Sequence, residues 1–189
     1  MLISKFSTHN VEVYITEFEK KYEFVFPEQY REFLLKYNGG ETPSSEFKIN
    51  KVSSDITGFY GVGEADKYLN YDFFERTGGL REYIEDSLLP IASTSFGDYV
   101  LIGVSDDKMG KIYFHYHDRP IKRIELTESF KTFVLKCKSE KIGHIDTVEE
   151  RRASMIAKGR ESFIDEGLIK MWQAEIDEYA NIHQEELIL

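Results

Sequence analysis

Early in the chain, apolar residues recur at helical spacing. Val11, Tyr14, Ile15, Phe18 and Tyr22 lie on one face of a helix over 10–22, with Asn10 as its expected N-cap. In FPEQYREFLLKYNGG, Tyr30, Phe33, Leu34 and Tyr37 form a second such stripe. Pro27 suits the first turn of that helix, and Gly39 and Gly40 supply a left-handed stop. The period then changes. FKINKV (47–52) alternates weakly and predicts a strand. Residues 58–80 are aromatic, acidic and glycine-punctuated, and predict a long excursion with a short helix over Ala65–Phe74. Strands follow at Leu89–Ala92, Tyr99–Val104 and Lys111–His117, the last two joined by the turn Asp106–Gly110. LTESFKTFVLKCKS (126–139) predicts a helix capped by Thr127, with Phe130, Phe133, Val134 and Cys137 on one face.

Beyond Ile142 the strand pattern stops. Residues 145–189 hold no proline, eleven acidic side chains and five basic ones. Two helices are expected, over 146–158 and 161–182, separated near Gly159. Leu168, Trp172, Ile176, Tyr179 and Ala180 make an apolar stripe on the second, which needs a surface to bury against. The expected organisation is one α+β domain over 1–142 and an acidic helical extension over 143–189 packed on it. The extension could pack within one chain or between two, so monomer and homodimer both fit.

The 189 residues include 41% apolar and 14% aromatic side chains, enough for a globular core without disulfides or structural metal. The lone cysteine excludes a disulfide framework and a cysteine-ligated zinc site. The N-terminal stretch lacks the apolar run of a signal peptide, and no run is long enough to span a membrane. A cytoplasmic protein is expected. The net charge of −10 repels nucleic acid and anionic membranes and favours basic partners, although it also serves plain solubility.

KIYFHYHD (111–118) raises the question of metal. Alternation on one strand would put His115 and His117 on the same face. A catalytic ion needs a third and usually a fourth ligand. His9, His144 and His183 show no recognisable ligand spacing with an acid, whereas Asp98 on the neighbouring strand could contribute. The other reading is a pair of strand histidines bonded to aromatics or acids. No phosphate-binding loop or serine elbow is present; GFYGVG lacks the lysine and serine or threonine that a phosphate loop requires. Cys137 on an apolar helix face reads as core. No catalytic residue, cofactor or metal is assigned.

Four stretches, in order, resemble the SUKH superfamily, which holds bacterial immunity proteins and a fungal regulator of cell-wall synthesis. Phe26-Pro27, Tyr30, Phe33-Leu34 and Asn38-Gly39-Gly40 are similar to the family's opening helix and its glycine stop. Leu89-Pro90-Ile91-Ala92 with Gly97-Asp98 resembles its central hairpin. Gly110, Ile112-Tyr113-Phe114 and His117-Asp118 resemble its next strand, and Ser129-Phe130 with Phe133-Val134 its closing helix. His115 departs from the family, which often has tryptophan there, and Asp118 stands where the family has glutamate.

The resemblance implies an α+β fold, a single domain whose curved mixed or antiparallel β-sheet is flanked by helices, here with the C-terminal helical extension added. It implies no cofactor and a protein-binding role. In bacteria such proteins bind and neutralise a toxin domain, often a nuclease. A nuclease surface is basic, and an acidic inhibitor can steer onto it. The expected partner is therefore a basic toxin domain, not nucleic acid or membrane. Tyr68, Tyr71, Asp72, Phe73, Phe74 and Glu75 combine aromatic anchors with acids and are candidate partner contacts, or else core aromatics beneath an acidic turn. Asp98, His115, His117 and Asp118 are the remaining candidates. A regulatory or scaffold binding module is the alternative role.

Overall fold

The computed structural model describes every residue except Gly78, Pro120, Ile121 and Asn181. It divides into two compact units: Met1–Lys141 together with Gln184–Leu189, and Ile142–His183.

The first unit is built on a nine-stranded sheet. Its strands are β1 (Leu2–Lys5), β2 (Gly40–Ile49), β3 (Val52–Phe59), β4 (Leu88–Ser93), β5 (Tyr99–Gly103), β6 (Ile112–His115), β7 (Arg123–Thr127), β8 (Cys137–Ser139) and β9 (Glu185–Glu186). They run in the order β7-β6-β5-β4-β3-β2-β1-β9, with β8 also on β2. Every pairing between these strands is antiparallel. The fold class is α+β, as expected. The helices are α1 (Val11–Tyr22), α2 (Glu28–Tyr37), α3 (Tyr71–Arg76), α4 (Leu80–Glu85) and α5 (Phe130–Lys136).

The helical stripes fold as their spacing predicts. Val11, Ile15 and Phe18 of α1 are buried, as are Tyr30, Phe33, Leu34 and Tyr37 of α2. The caps differ in detail. Asn10 holds the N-cap position of α1 in a left-handed conformation without a capping bond, and its amide lies 3.2 Å from the His9 ring instead. The cap of α5 is Ser129, whose hydroxyl accepts the Thr132 N–H; Thr127 closes β7 two residues earlier.

The weak strand read over 47–52 is the tip of a hairpin. Ile49 faces Val52 across the turn residues Asn50 and Lys51, and Asn50 takes the positive φ that the turn requires. β3 escaped detection because its polar side, with Ser53, Asp55 and Thr57, carries no period an apolar count would notice. The excursion over 58–80 contains α3, which starts later than expected because Asn70 caps it, with its side chain accepting the Asp72 N–H.

One face of the sheet carries the main core. Phe33 packs edge-on against Phe59 and Phe130, and Phe47 against Phe114 and Phe133. Register puts Val100 opposite Phe114 on this face and Tyr99 opposite His115 on the other. The other face is covered near β5 by α3 and α4, through contacts that join Phe74, Tyr83, Tyr99 and His115.

A buried asparagine ties three segments together. Asn38 ends α2 in a left-handed conformation and is 1% exposed. Its amide N–H groups donate to the carbonyls of Ser7 (2.7 Å) and Val62 (3.0 Å), and its Oδ1 accepts the Val62 N–H (2.9 Å). Gly39 follows with φ +80°, and a Cβ there would collide with the backbone of Phe59, Tyr60 and Gly61.

The second unit holds α6 (Val148–Ala157), a 3-10 turn (Glu161–Phe163) and α7 (Glu166–Ala180). Thr147 and Glu150 form a reciprocal capping box at the start of α6. The Arg151 guanidinium grips the Glu175 carboxylate through two hydrogen bonds, joining α6 to α7. On α7, Trp172 is buried, Leu168 and Ile176 half-buried. After α7 the chain forms β9, a strand without a pattern in the sequence.

Replacing Asn38 by alanine would strand one N–H and two carbonyls. The expected cost is about 3 kcal/mol, read as a drop of roughly 10 °C in melting temperature for a chain of this size. A calorimetric melt of the variant within 2–3 °C of wild type, on the order of 1 kcal/mol, would refute the assignment.

Candidate functional site

The hairpin β4–β5 and the end of β6 bring Asp98, His115 and His117 to one end of the sheet. β6 ends at His115, two residues before the predicted limit. The reason lies in Asp98, just before β5. Its Oδ1 accepts the backbone N–H of His117 at 2.9 Å, so a side chain takes the place of the next rung of the ladder. The same oxygen accepts Nδ1–H of the His117 ring at 2.8 Å. The carboxylate therefore makes Nδ1 the hydrogen-bearing nitrogen, and in the neutral ring Nε2 is the acceptor. The Asp98 side chain is 8% exposed and that of His117 is 59% exposed.

His115 lies apart from this pair. Its ring is buried, with Nδ1 2.6 Å from the Tyr83 hydroxyl of α4 and Nε2 without a partner. The Arg123 guanidinium stacks over the Tyr83 ring. Burial, reinforced by Arg123, lowers the pKa of His115. Burial also pushes the Tyr83 phenol up to about 12. Asp118 is exposed and lies 3.8 Å from Arg119.

The second set of candidates splits by burial. Tyr71 and Phe74 are core side chains: the Tyr71 hydroxyl donates to the Pro90 carbonyl and lies 3.0 Å from that of Tyr30. Burial raises the pKa of Tyr71 far above the ordinary phenol range. Tyr68 is exposed and meets Phe73 edge-on. Asp72 is exposed, and Phe73 and Glu75 are half-buried. A short ion pair with Lys21 lowers the pKa of Glu75. The outward group is thus Tyr68, Asp72, Phe73 and Glu75.

Among the described residues, one trio of His, Cys, Asp or Glu places its donor atoms close enough for a single ion: His144, Asp146 and Glu150. All three are exposed, and the Glu150 carboxylate already accepts the Thr147 N–H. Cys137 is buried, its thiol donates to the Phe133 carbonyl, and burial pushes its pKa up to about 12, which suppresses the thiolate. No described helix is long and apolar enough to cross a membrane.

The Asp98–His117 pair thus stands at one end of the sheet, and Tyr68 and Phe73 lie before and within α3. The SMI1/KNR4 family (SUKH-1) matches residues 12–136. The chain belongs to that family. The match runs from the second residue of α1 to the end of α5, so Asn38, the Asp98–His117 pair and both aromatic clusters lie inside it, while Ser7, one of the partners of Asn38, lies outside. The unit Ile142–His183 lies beyond it. No curated protein matches the chain.

The site residue that spacing alone missed is Tyr83. Its pairing with His115 requires the register of β5 and β6 and the position of α4, none of which a local pattern carries. This contact generates a pH prediction. The folded state disfavours protonated His115, whereas the unfolded chain takes up that proton near pH 6.5. The group costs nothing above that value, and stability falls as pH drops through 6.5 toward the lowered folded value. His115→Gln should lose this part of the decline between about pH 6.5 and 5 in denaturant melts. Parallel stability curves for the two proteins over that window would show that His115 does not contribute.

Proposed function

We propose that this protein is a stoichiometric inhibitor, an immunity protein that binds a basic toxin domain in the cytoplasm and covers its working surface. Family membership over residues 12–136 carries this reading. The net charge of −10 supports it, because a toxin that grips phosphate presents the opposite charge. Opposite fields raise the rate of encounter and fix orientation, and salt weakens them. In this reading the protein performs no chemistry, and a nuclease is the favoured kind of toxin.

The proposed contact surface comprises Tyr68, Asp72, Phe73 and Glu75 on one patch and His117 and Asp118 on another. Tyr71, Phe74, Asp98 and His115 act from beneath, by holding those side chains in place. His117 would accept a hydrogen bond from the partner through Nε2, since Asp98 already occupies Nδ1. A second reading, a regulatory module with several weaker partners, draws on the helical unit Ile142–His183, which lies outside the family match.

Affinity capture with the full chain from lysate of the source organism, washed at low and at high salt, separates the two. The inhibitor reading expects one dominant partner with a basic domain, bound one to one and released by high salt. Several unrelated partners, or one held equally at both salts, would count against it.

A further inference from the structure

The hairpin tip between β4 and β5 is unusually well braced for an exposed loop. Each backbone N–H from Thr94 to Asp98 has an acceptor. Thr94 N–H donates to the Asp98 carbonyl and Gly97 N–H to the Thr94 carbonyl. Phe96 and Asp98 N–H groups both donate to the Thr94 hydroxyl, and Ser95 N–H donates to Asp55 Oδ2. At the summit of this framework stands Phe96, 71% exposed. An aromatic ring on a tip whose backbone is held by hydrogen bonds has less conformational entropy to lose when it enters a pocket, which is what distinguishes a binding anchor from a stray surface phenylalanine.

The sheet beside the tip states the charge of its counterpart. Asp55 of β3 lies directly opposite Glu46 of β2. Like charges in that position cost stability. Lys138 of β8 sits opposite Glu46 on its other side and Lys48 lies diagonally across from Asp55, yet among the described residues neither lysine forms an ion pair with either acid. Among the described residues Asp55 forms no ion pair, and its Oδ1 is without a hydrogen-bond donor. Oδ1 itself is enclosed while the residue is half-buried at the surface, and the terminal torsion of an aspartate is soft, so a turn of the carboxylate is what would bring Oδ1 to a donor from outside. The acid that braces the tip is therefore one that lacks an ion pair.

We propose that Phe96 is the apolar anchor of a docking surface whose occupant is a protein presenting a pocket bordered by an arginine or lysine, with that cation meeting Asp55 and Glu46. This rests on the inhibitor reading above for the partner's identity, but not for the surface itself. It adds a third patch, on the part of the sheet that α3 and α4 leave open, and it makes the β4–β5 tip the centre of the contact.

The test uses the partner captured above, purified and titrated calorimetrically into the full chain. Phe96→Ala should weaken binding at least thirtyfold, on the order expected of a hot spot. Asp55→Asn should weaken it several-fold and flatten its salt dependence, since one charge pair is lost. Leu135→Ala, a change at an equally exposed apolar residue on α5, should bind as wild type does. Melting curves matching wild type for Phe96→Ala would assign its loss to contact rather than unfolding. Wild-type affinity in Phe96→Ala overturns the anchor, and an unchanged salt slope in Asp55→Asn overturns the cationic counterpart. Equal losses in Leu135→Ala overturn the location. Capture of no partner by the wild-type chain overturns the inhibitor reading and with it the occupant named here, whereas capture followed by wild-type affinity in Phe96→Ala overturns this proposal alone.

Discussion

The first unit depends on a single asparagine amide where three stretches of irregular backbone meet. β1 has just ended, α2 has just stopped, and β3 has just given way to the excursion that leads to α3. Irregular backbone inside a protein must find hydrogen bonds or lose them at a cost of about 1–3 kcal/mol per group. Asn38 supplies two donors and an acceptor in one planar group and so satisfies all three segments at once. Its left-handed backbone turns α2 into β2, and the glycine that follows lets the chain pass against Phe59 and Tyr60 without a side chain between them. The placement of β2 then fixes β3, β1 and β8, all of which pair with it.

From that frame the molecule distributes its aromatics in two ways. Those on the helix-packed face interlock and exclude water. Those on the opposite face, Phe74, Tyr83 and Tyr99, hold down α3 and α4, and Tyr83 carries a hydrogen bond with His115 as well. Where this second cover ends, the sheet stays open, and its acids and the β4–β5 tip meet solvent. Rigidity and exposure coincide there, which is the condition under which surface contact becomes specific.

Helices were the legible part of the sequence. The stripes of α1, α2 and α5 follow the helical period because each has one buried face. The strands were legible where their own residues are largely apolar, as in β4, β5 and β6. β3 and β7 carry polar or mixed residues, and the two- to four-residue strands β1, β8 and β9 are too short for any period to register. Their pairing comes from long-range register and not from local pattern. The candidate residues divided for the same reason. Tyr71 and Phe74 resemble Tyr68 and Phe73 in the sequence, and only the turn into α3 decides which pair faces inward. His115 and His117 shared a strand face in the alternating pattern, until Asp98 ended the strand between them. Phe96 gave no signal at all, because a phenylalanine beside a glycine looks the same whether its loop is braced or loose.

The return of the chain to β1 changes the standing of the acidic helices. β8 pairs with β2 and reaches β1 through a side chain, the Ser139 hydroxyl accepting the Leu2 N–H, whereas β9 pairs with β1 directly, Glu186 opposite Leu2. The Tyr37 hydroxyl also exchanges hydrogen bonds with Ile188, and Leu187 is buried in the core. The α6–α7 pair is thus not a tail but a loop cargo, spliced between two neighbouring seams of one sheet and anchored at both ends. Simple truncation would tear out an edge strand along with it. The helical pair is therefore an insertion between two strands of the sheet, and the last strand is reached only after the chain has made that detour.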